Sequence, residues 1–231
     1  MLRSLRYGEA DRILHLFTPM RGKVGAIAKG VRRTKSRFGG RLEPFFHLNL
    51  ILHEGRSDLL TVTSVETVAA HARLRVDGPA LDVAARACDA VSRLFDTQEP
   101  NPAVFRLLAN ELGLLDADPG AHATYANQLA FRLKLLLAAG LAPQLAACAS
   151  CGEQDHLVAF SGAEGGVGCA GCEAGALAID PAAHAFMTAA LGVPLAQGPT
   201  AATRVLAQVE RAIGETVEHH GAGRLRAARA G

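Results

Sequence analysis

The sequence predicts an α+β protein with several domains, in which a β-rich N-terminal part precedes helices and a cysteine-rich segment. Three observations lead to this fold class. Short apolar runs with tight turns between them fill residues 12–65. Helical spacing of apolar residues begins after Gly78-Pro79. Two C-x2-C pairs lie within residues 148–172.

The β-rich part is expected to form a small antiparallel barrel or sandwich, because several short strands fall within fewer than 80 residues. Side chains alternate most clearly in FFHLNLILH (45–53), where Leu48, Leu50 and Leu52 share one face. The four predicted strands are residues 12–18, 23–29, 45–53 and 59–65.

Helices are predicted for most of the remaining chain, with start signals that are easy to recognise. Asn101-Pro102 is typical of an N-cap followed by the first helical residue, and Asp180-Pro181 is a second such pair. The basic end, residues 221–231, is expected to fray. The predicted helices cover residues 79–95, 102–115, 121–139, 182–191 and 200–220.

Charge is distributed unevenly, although the formal net charge is only +2. Residues 1–45 carry 11 Lys and Arg against 3 Asp and Glu, whereas residues 46–231 carry 13 against 19. A basic end joined to an acidic remainder indicates that the N-terminal part binds a polyanion. No apolar run approaches the roughly 18–20 residues of a membrane span, and a signal-peptide layout is absent. We therefore expect a cytoplasmic protein that does not act at a membrane.

Cys148, Cys151, Cys169 and Cys172 have the spacing of a zinc ribbon, with 17 residues between the two pairs. Two residues between thiolates allow one turn to aim both sulfurs at a single ion, and a second turn completes the tetrahedron. Four thiolates leave no open position for a water molecule, so one structural Zn²⁺ per chain is expected. The fifth cysteine, Cys88, lies on the apolar face of a predicted helix and is interpreted as a buried small hydrophobe.

Motifs for catalysis are missing from the sequence. There is no G-x-x-x-x-G-K-[ST] phosphate loop, no H-E-x-x-H, no G-x-S-x-G and no H-x-E with P-C-x-x-C. We therefore predict that the chain is not an enzyme and that it needs no nucleotide.

The segment GVRRTKSRFGGRLEPF (30–45) carries five basic residues, one acidic residue and two adjacent glycines between two predicted strands. Such a loop on a small barrel is suited to a phosphate backbone, and an aromatic ring among its cations could stack a base. The alternative is a solvated surface loop, or a Phe38 ring buried as a plug. The predicted DNA-binding residues are Lys29, Arg32, Arg33, Lys35, Arg37, Phe38 and Arg41.

Several of these segments also carry a family resemblance. GEADRI (8–13), AKG (28–30) and above all KSRFGGRLEPF (35–45) resemble the N-terminal domain of RecO, a family of DNA repair and recombination mediator proteins. GLAPQL (140–145), which runs into the first cysteine pair, and the second pair resemble the later part of that family.

The resemblance implies an N-terminal OB-fold barrel, a helical domain and a zinc module with four cysteine ligands. It further implies a nucleoid-associated mediator that binds single- and double-stranded DNA and anneals complementary strands. The implied partners are RecR and the single-stranded DNA-binding protein SSB, through which RecA is loaded indirectly. The expected division is an OB domain at 1–76, a helical domain at 77–147, the zinc module at 148–179, and C-terminal helices packing on the helical domain at 180–231.

Family members usually have about ten residues before the segment that matches Leu2-Arg3. Either the start codon is misassigned, the chain is truncated, or the barrel opens on a shorter edge. We expect that an upstream extension would complete the first strand. Two other functions fit parts of the sequence. A zinc-ribbon adaptor for RNA or the transcription machinery would prefer structured RNA. A zinc enzyme acting on nucleic acid would need a zinc ion with an open position, which four cysteines disfavour.

Overall fold

Apolar residues at every second position build a five-stranded sheet in the N-terminal part of the chain. The computed structural model describes residues 1–55, 58–172, 176–220 and 225–228, and the chain divides into two units, Met1–Pro119 and Gly120–Gly231. Leu14 and Leu16 on the second strand and Val24 and Ala26 on the third are buried on the same side of the sheet. The strands are β1 (Arg3–Tyr7), β2 (Asp11–Thr18), β3 (Gly22–Ala28), β4 (His47–His53) and β5 (Leu60–Ala69).

The strand order is β1-β2-β3-β5-β4, and all pairings are antiparallel except that of β3 with β5, which is parallel. The prediction of a purely antiparallel structure is therefore wrong at this pairing. The long segment after β3 carries the chain back to the far edge of the sheet, so that β5 returns beside β3 in the same direction. Periodicity did not predict strand β1, because RSLRY alternates weakly and four of its five residues are exposed; only the family resemblance implied a first strand at Leu2-Arg3.

The sheet is open between β1 and β4, since no strand pairing joins them in the described part of the chain. A barrel is therefore not confirmed. The two edges approach each other at Met1, whose amine donates to the carbonyl of Phe46 at 2.7 Å and whose carbonyl accepts from the Phe45 N–H at 2.9 Å. Burial lowers the pKa of the Met1 amine, because the charged form loses water.

Two helices complete the first unit, α1 (Gly78–Leu94) and α2 (Pro102–Ala117). Asp77 caps α1 by accepting the Ala80 N–H at 2.9 Å, and Asn101 caps α2 by accepting the Val104 N–H at 3.0 Å. Cys88 is buried in α1, as predicted, and this burial raises its pKa to about 12. An apolar groove of about 600 Å³ lies between the open edge of the sheet and α2.

The second unit combines helices with a small three-stranded sheet of order β7-β6-β8. Helix α4 packs against both α5 and α6, and Lys134 on α4 donates to the Leu191 carbonyl at 3.4 Å. The helices are α3 (Pro119–His122), α4 (Tyr125–Ala138), α5 (Pro181–Gly192) and α6 (Thr203–His219), and the strands are β6 (Leu157–Ser161), β7 (Gly166–Cys169) and β8 (Leu177–Ala178). None of the helices in the described ranges combines the length and the hydrophobicity of a membrane-spanning segment.

Residues 225–228 are held against α4 and α6, although the end of the chain was expected to fray. The Arg132 guanidinium, 5% exposed, donates to the carbonyl of Arg226, and the Ala228 N–H donates to the Glu210 carboxylate. Arg132 also pairs with Glu210 at 3.2 Å, and Tyr125 donates its hydroxyl to Glu210 at 2.7 Å. The expectation for 221–224 and 229–231 lies outside the described residues.

Candidate nucleic-acid interface and metal centre

The basic segment 30–45 is a folded loop that is fastened to the sheet at both ends. At its start, the Gly30 N–H donates to the Asp11 carboxylate at 2.7 Å, and the Arg32 N–H donates to the Ala10 carbonyl at 2.9 Å. Gly30 has a φ of 67°, a backbone conformation that favours glycine. At its end, Arg12 pairs with Glu43 at 2.8 Å. The loop therefore has a defined path.

Phe38 does not offer a ring face to a base, because it is only 1% exposed. It lies in the core of the sheet with Leu14, Leu42 and Val62. The prediction that Phe38 stacks on DNA is corrected accordingly, and its ring forms the buried plug that was the alternative. An apolar ring is more stable in this core than in water, and it anchors the middle of the loop.

Arg37 and Arg41 are exposed, but their guanidinium groups also bind the protein itself. Arg37 lies 4.8 Å from the centre of the Phe38 ring and donates to the Val62 carbonyl at 3.3 Å. Arg41 donates to the Phe38 and Arg37 carbonyls, both at 2.9 Å, and to that of Val65 at 3.4 Å. These two cations brace the loop against β5.

The other four predicted cations point away from the protein. Lys29, Arg32, Arg33 and Lys35 are exposed, and their side chains make no hydrogen bond or ion pair with the described residues. Their positive charge is not neutralised by a carboxylate of the described chain. The structure thus separates the predicted set into bracing cations and outward-facing cations, a distinction that sequence spacing does not contain.

The four cysteine sulfurs meet at one point in the second unit. The Sγ atoms of Cys148, Cys151, Cys169 and Cys172 all lie within 4.8 Å of one another, and those of Cys151 and Cys169 are 3.7 Å apart. A tetrahedral Zn²⁺ with Zn–S bonds of about 2.3 Å requires sulfurs about 3.8 Å apart. A disulfide needs about 2.05 Å. The geometry therefore fits a tetrahedral metal ion.

Backbone turns aim the sulfurs inward. In the first pair, the Gly152 N–H donates to the Cys148 carbonyl at 2.9 Å, and Gly152 has a φ of 82° that favours glycine. In the second, the Cys172 N–H donates to the Cys169 carbonyl at 2.9 Å. Each turn places its two thiols on the same side, as the C-x2-C spacing predicts.

The electrostatics of the cluster stabilise the thiolate of Cys148 but the neutral thiol of Cys172. Backbone N–H groups, first that of Cys169 and then that of Cys151, donate to the Cys148 sulfur and lower its pKa to about 6. The Cys172 thiol donates to neighbouring sulfurs, first to that of Cys151, and because these bonds are lost on ionisation they raise the pKa of Cys172 to about 12. Four thiols so close together cannot all ionise unless a cation compensates their charge.

The metal module rests on helices of its own unit. Gly162, after β6, donates its N–H to Glu215 on α6 at 3.3 Å, and a Cβ at Gly162 would lie 2.6 Å from the Glu215 carbonyl carbon. His184 on α5 bonds the Leu145 carbonyl at 2.7 Å, three residues before Cys148. The sulfurs are thus positioned by a scaffold of strands and helices.

The chain thus combines a sheet that bears an exposed basic loop with helices and a cluster of four cysteines that could hold a metal ion. Two family profiles cover the chain, one described as Recombination protein O N terminal over residues 1–71 and one as Recombination protein O C terminal over residues 75–229. The chain belongs to the RecO family, and so to the proteins of DNA repair and recombination.

Individual relatives agree with this membership. A protein of Anaeromyxobacter dehalogenans named DNA repair protein RecO is 38% identical over 99% of this chain and 92% of its own length. Proteins of the same name from Thermobifida fusca and Bifidobacterium adolescentis are 40% and 44% identical over 83% and 66% of this chain, and over 79% and 62% of their own lengths. The four-part division at 1–76, 77–147, 148–179 and 180–231 stays a prediction.

Proposed function

We propose that this chain is a non-catalytic mediator of recombination that binds single- and double-stranded DNA and anneals complementary strands. Its expected partners are RecR and the single-stranded DNA-binding protein, and its action helps to load RecA. Family membership supports the role in repair. The observation that carries the DNA-binding part is the group of four outward-facing cations on a loop with a fixed path.

The loop would act on DNA mainly through charge. Lys29, Arg32, Arg33 and Lys35 have no carboxylate partner among the described residues, so their binding to phosphates would break no ion pair there. Each phosphate that is neutralised releases counterions from the DNA, which drives association in a way that does not depend on base sequence. Arg37 and Arg41 would support this surface by keeping the loop on β5. Annealing requires that two strands be neutralised together, and it needs no nucleotide hydrolysis.

We propose further that the N-terminal sheet is an OB-type barrel. The order β1-β2-β3-β5-β4 with parallel β3 and β5 is the strand order of that fold, and OB barrels are described as partly open. The hydrogen bonds of Met1 with Phe45 and Phe46 lie where β1 and β4 would meet. These features support the barrel, and strand pairing along β4 would establish it.

The four cysteines would hold one structural Zn²⁺. The ion would supply a cross-link between the two C-x2-C turns, which a short segment with few large apolar residues lacks. The chain itself would make two contributions. Backbone N–H groups would stabilise the Cys148 thiolate, and the bond of Gly162, after β6, with Glu215 would hold the module on α6. This role is structural and involves no reaction at the metal.

The test is the salt dependence of single-strand binding by the triple variant Arg32→Glu, Arg33→Glu, Lys35→Glu. We expect weaker binding for every sequence and a log–log salt slope flatter by roughly 0.7 for each phosphate that the loop no longer neutralises. The matched control reverses Arg106 on α2 and Arg211 on α6, two exposed cations outside segment 30–45, and is compared per charge. An unaltered affinity and slope in the triple variant would show that DNA lies elsewhere.

Annealing is measured with complementary oligonucleotides in the absence of nucleotide. The wild-type chain should accelerate it and the triple variant should not, because strand neutralisation depends on the loop. A requirement for ATP hydrolysis by this chain alone would contradict the proposal. Preferential binding of structured RNA without annealing would favour the adaptor function instead.

A further inference from the structure

The outer face of β1, β2 and β3 carries a row of apolar side chains that the core does not use. Tyr7 is 53% exposed and Leu5 is 37% exposed. The strand register places Leu5 opposite Ile13 and Ile13 opposite Ile27, so these three residues run across the sheet in one line. Tyr7 stands next to that line, opposite Asp11. We call these four residues, Leu5, Tyr7, Ile13 and Ile27, the apolar row.

The apolar row lies at the start of the basic loop. Asp11, the strand partner of Tyr7, accepts the Gly30 N–H at 2.7 Å, and the neighbouring Ala10 carbonyl accepts the Arg32 N–H at 2.9 Å. The β1–β2 turn and the first residues of the loop are therefore fastened together. A ligand bound to the cations at the start of the loop is therefore also close to Tyr7, which lies in the same unit.

Tyr7 is the one Phe or Tyr side chain of this protein that is more than a third exposed; all eleven lie within the described residues. An exposed aromatic ring is a general platform for bases, because every base has a π face. In the basic segment 30–45, Phe38 is buried and Phe45 is only partly exposed. Tyr7 is therefore another candidate for the base-contacting role that the sequence suggested for Phe38.

We propose that the apolar row, with Tyr7 as its exposed aromatic ring, contacts the bases of single-stranded DNA while Lys29 and Arg32 contact its phosphates. This inference rests on the proposed function and adds the surface that touches bases. Charge complementarity selects this occupant over an apolar peptide, since exposed Arg3 lies on β1 beside the row and Lys29 directly follows β3. Glu9, in the β1–β2 turn, is an exposed carboxylate that opposes a nucleic acid.

Fluorescence can report the stacking directly, because the chain has no tryptophan. Tyr7→Trp places the only indole of the full-length chain on the apolar row. Addition of a single-stranded oligothymidylate should quench its emission, whereas a duplex of equal length, whose base faces are stacked inside, should not. Val76→Trp, at a position 88% exposed on the Leu74–Val76 turn, is the control that should show no quenching.

Fluorescence anisotropy of a labelled oligothymidylate, measured in parallel, separates the role of Tyr7 from the DNA-binding function of the loop. Tyr7→Ala should bind about tenfold more weakly with an unchanged salt slope, Tyr7→Phe should bind like wild type, and Glu9→Gln should bind more tightly. Normal binding without quenching would overturn the role of Tyr7 and leave the loop proposal intact. No binding of oligothymidylate or duplex by any variant or by the wild type would overturn the proposed function itself.

Discussion

Replacing Phe38 with alanine should destabilise the first unit without changing how it contacts DNA. The ring is 1% exposed and belongs to the core of the sheet, so its removal leaves a cavity that the surrounding strands fill only partly. Phe→Ala substitutions at such sites cost about 3–5 kcal/mol. The guanidinium of Arg37 over the ring adds about 0.5–1 kcal/mol at an exposed site. This is a large part of the roughly 5–15 kcal/mol that stabilises a domain.

The assay is thermal unfolding by circular dichroism beside a single-strand binding curve taken well below the transition. Phe38→Ala should lower the melting temperature clearly, and Phe38→Leu should lower it less because most of the volume remains. Tyr7→Ala is the matched control, since it removes a ring that is 53% exposed. That variant should keep its melting temperature and lose affinity.

The opposite result would refute the conclusion that Phe38 acts through burial. If Phe38→Ala melted like wild type and bound DNA weakly with an unchanged salt slope, the ring would have to leave the core and stack on a base. If both variants lost stability equally, the difference in burial between the two rings would not control their contributions.

Three further predictions concern the metal, the open edge and the chain end. Metal analysis should find one zinc ion per chain, and Cys151→Ser should lower this zinc content whereas Cys88→Ala should not. In Cys151→Ser, hydrogen exchange should rise in the cysteine module while single-strand binding is retained. A metal-free protein that is fully folded would contradict this prediction. Adding about ten residues before Met1 should raise the melting temperature, because a longer first strand could pair with β4 and cover the groove of about 600 Å³. The extension would also replace the buried Met1 amine with an amide. Equal melting temperatures of the two forms would mean that the edge needs no partner. Glu210→Ala should increase amide exchange at Ala228, measured by mass spectrometry, and unchanged exchange would show that this carboxylate does not hold the tail.

The predicted elements that were recovered are those with one clear buried face. Alternation in FFHLNLILH placed β4 to within two residues, and the proline pairs placed the starts of α2 and α5. Strand β1 escaped because it is an edge strand with little to bury. The parallel pairing of β3 with β5 escaped because periodicity describes a single strand and contains nothing about its neighbour.

The two candidate sites also differ in how far the sequence could predict them. Metal ligands need a fixed local spacing, so C-x2-C pairs predict the four-cysteine cluster that the structure brings together. The roles of Phe38 and Arg41 depend on contacts with Val62 and Val65, each 24 residues further along the chain. Composition marks the loop as basic, but only the fold decides which of its side chains face inward.

The docking of residues 225–228 has a consequence for how this end of the chain can change over time. Arg132 and Glu210 bind a main-chain carbonyl at 226 and a main-chain N–H at 228, groups that every residue except proline supplies. In an extended chain, two groups so spaced point toward the same edge. These two bonds require no particular side chain, although the side chain of Ala228 is itself buried, whereas inserting or deleting one residue between the two positions would displace the second group. The two bonds therefore constrain the spacing of the backbone between residues 226 and 228.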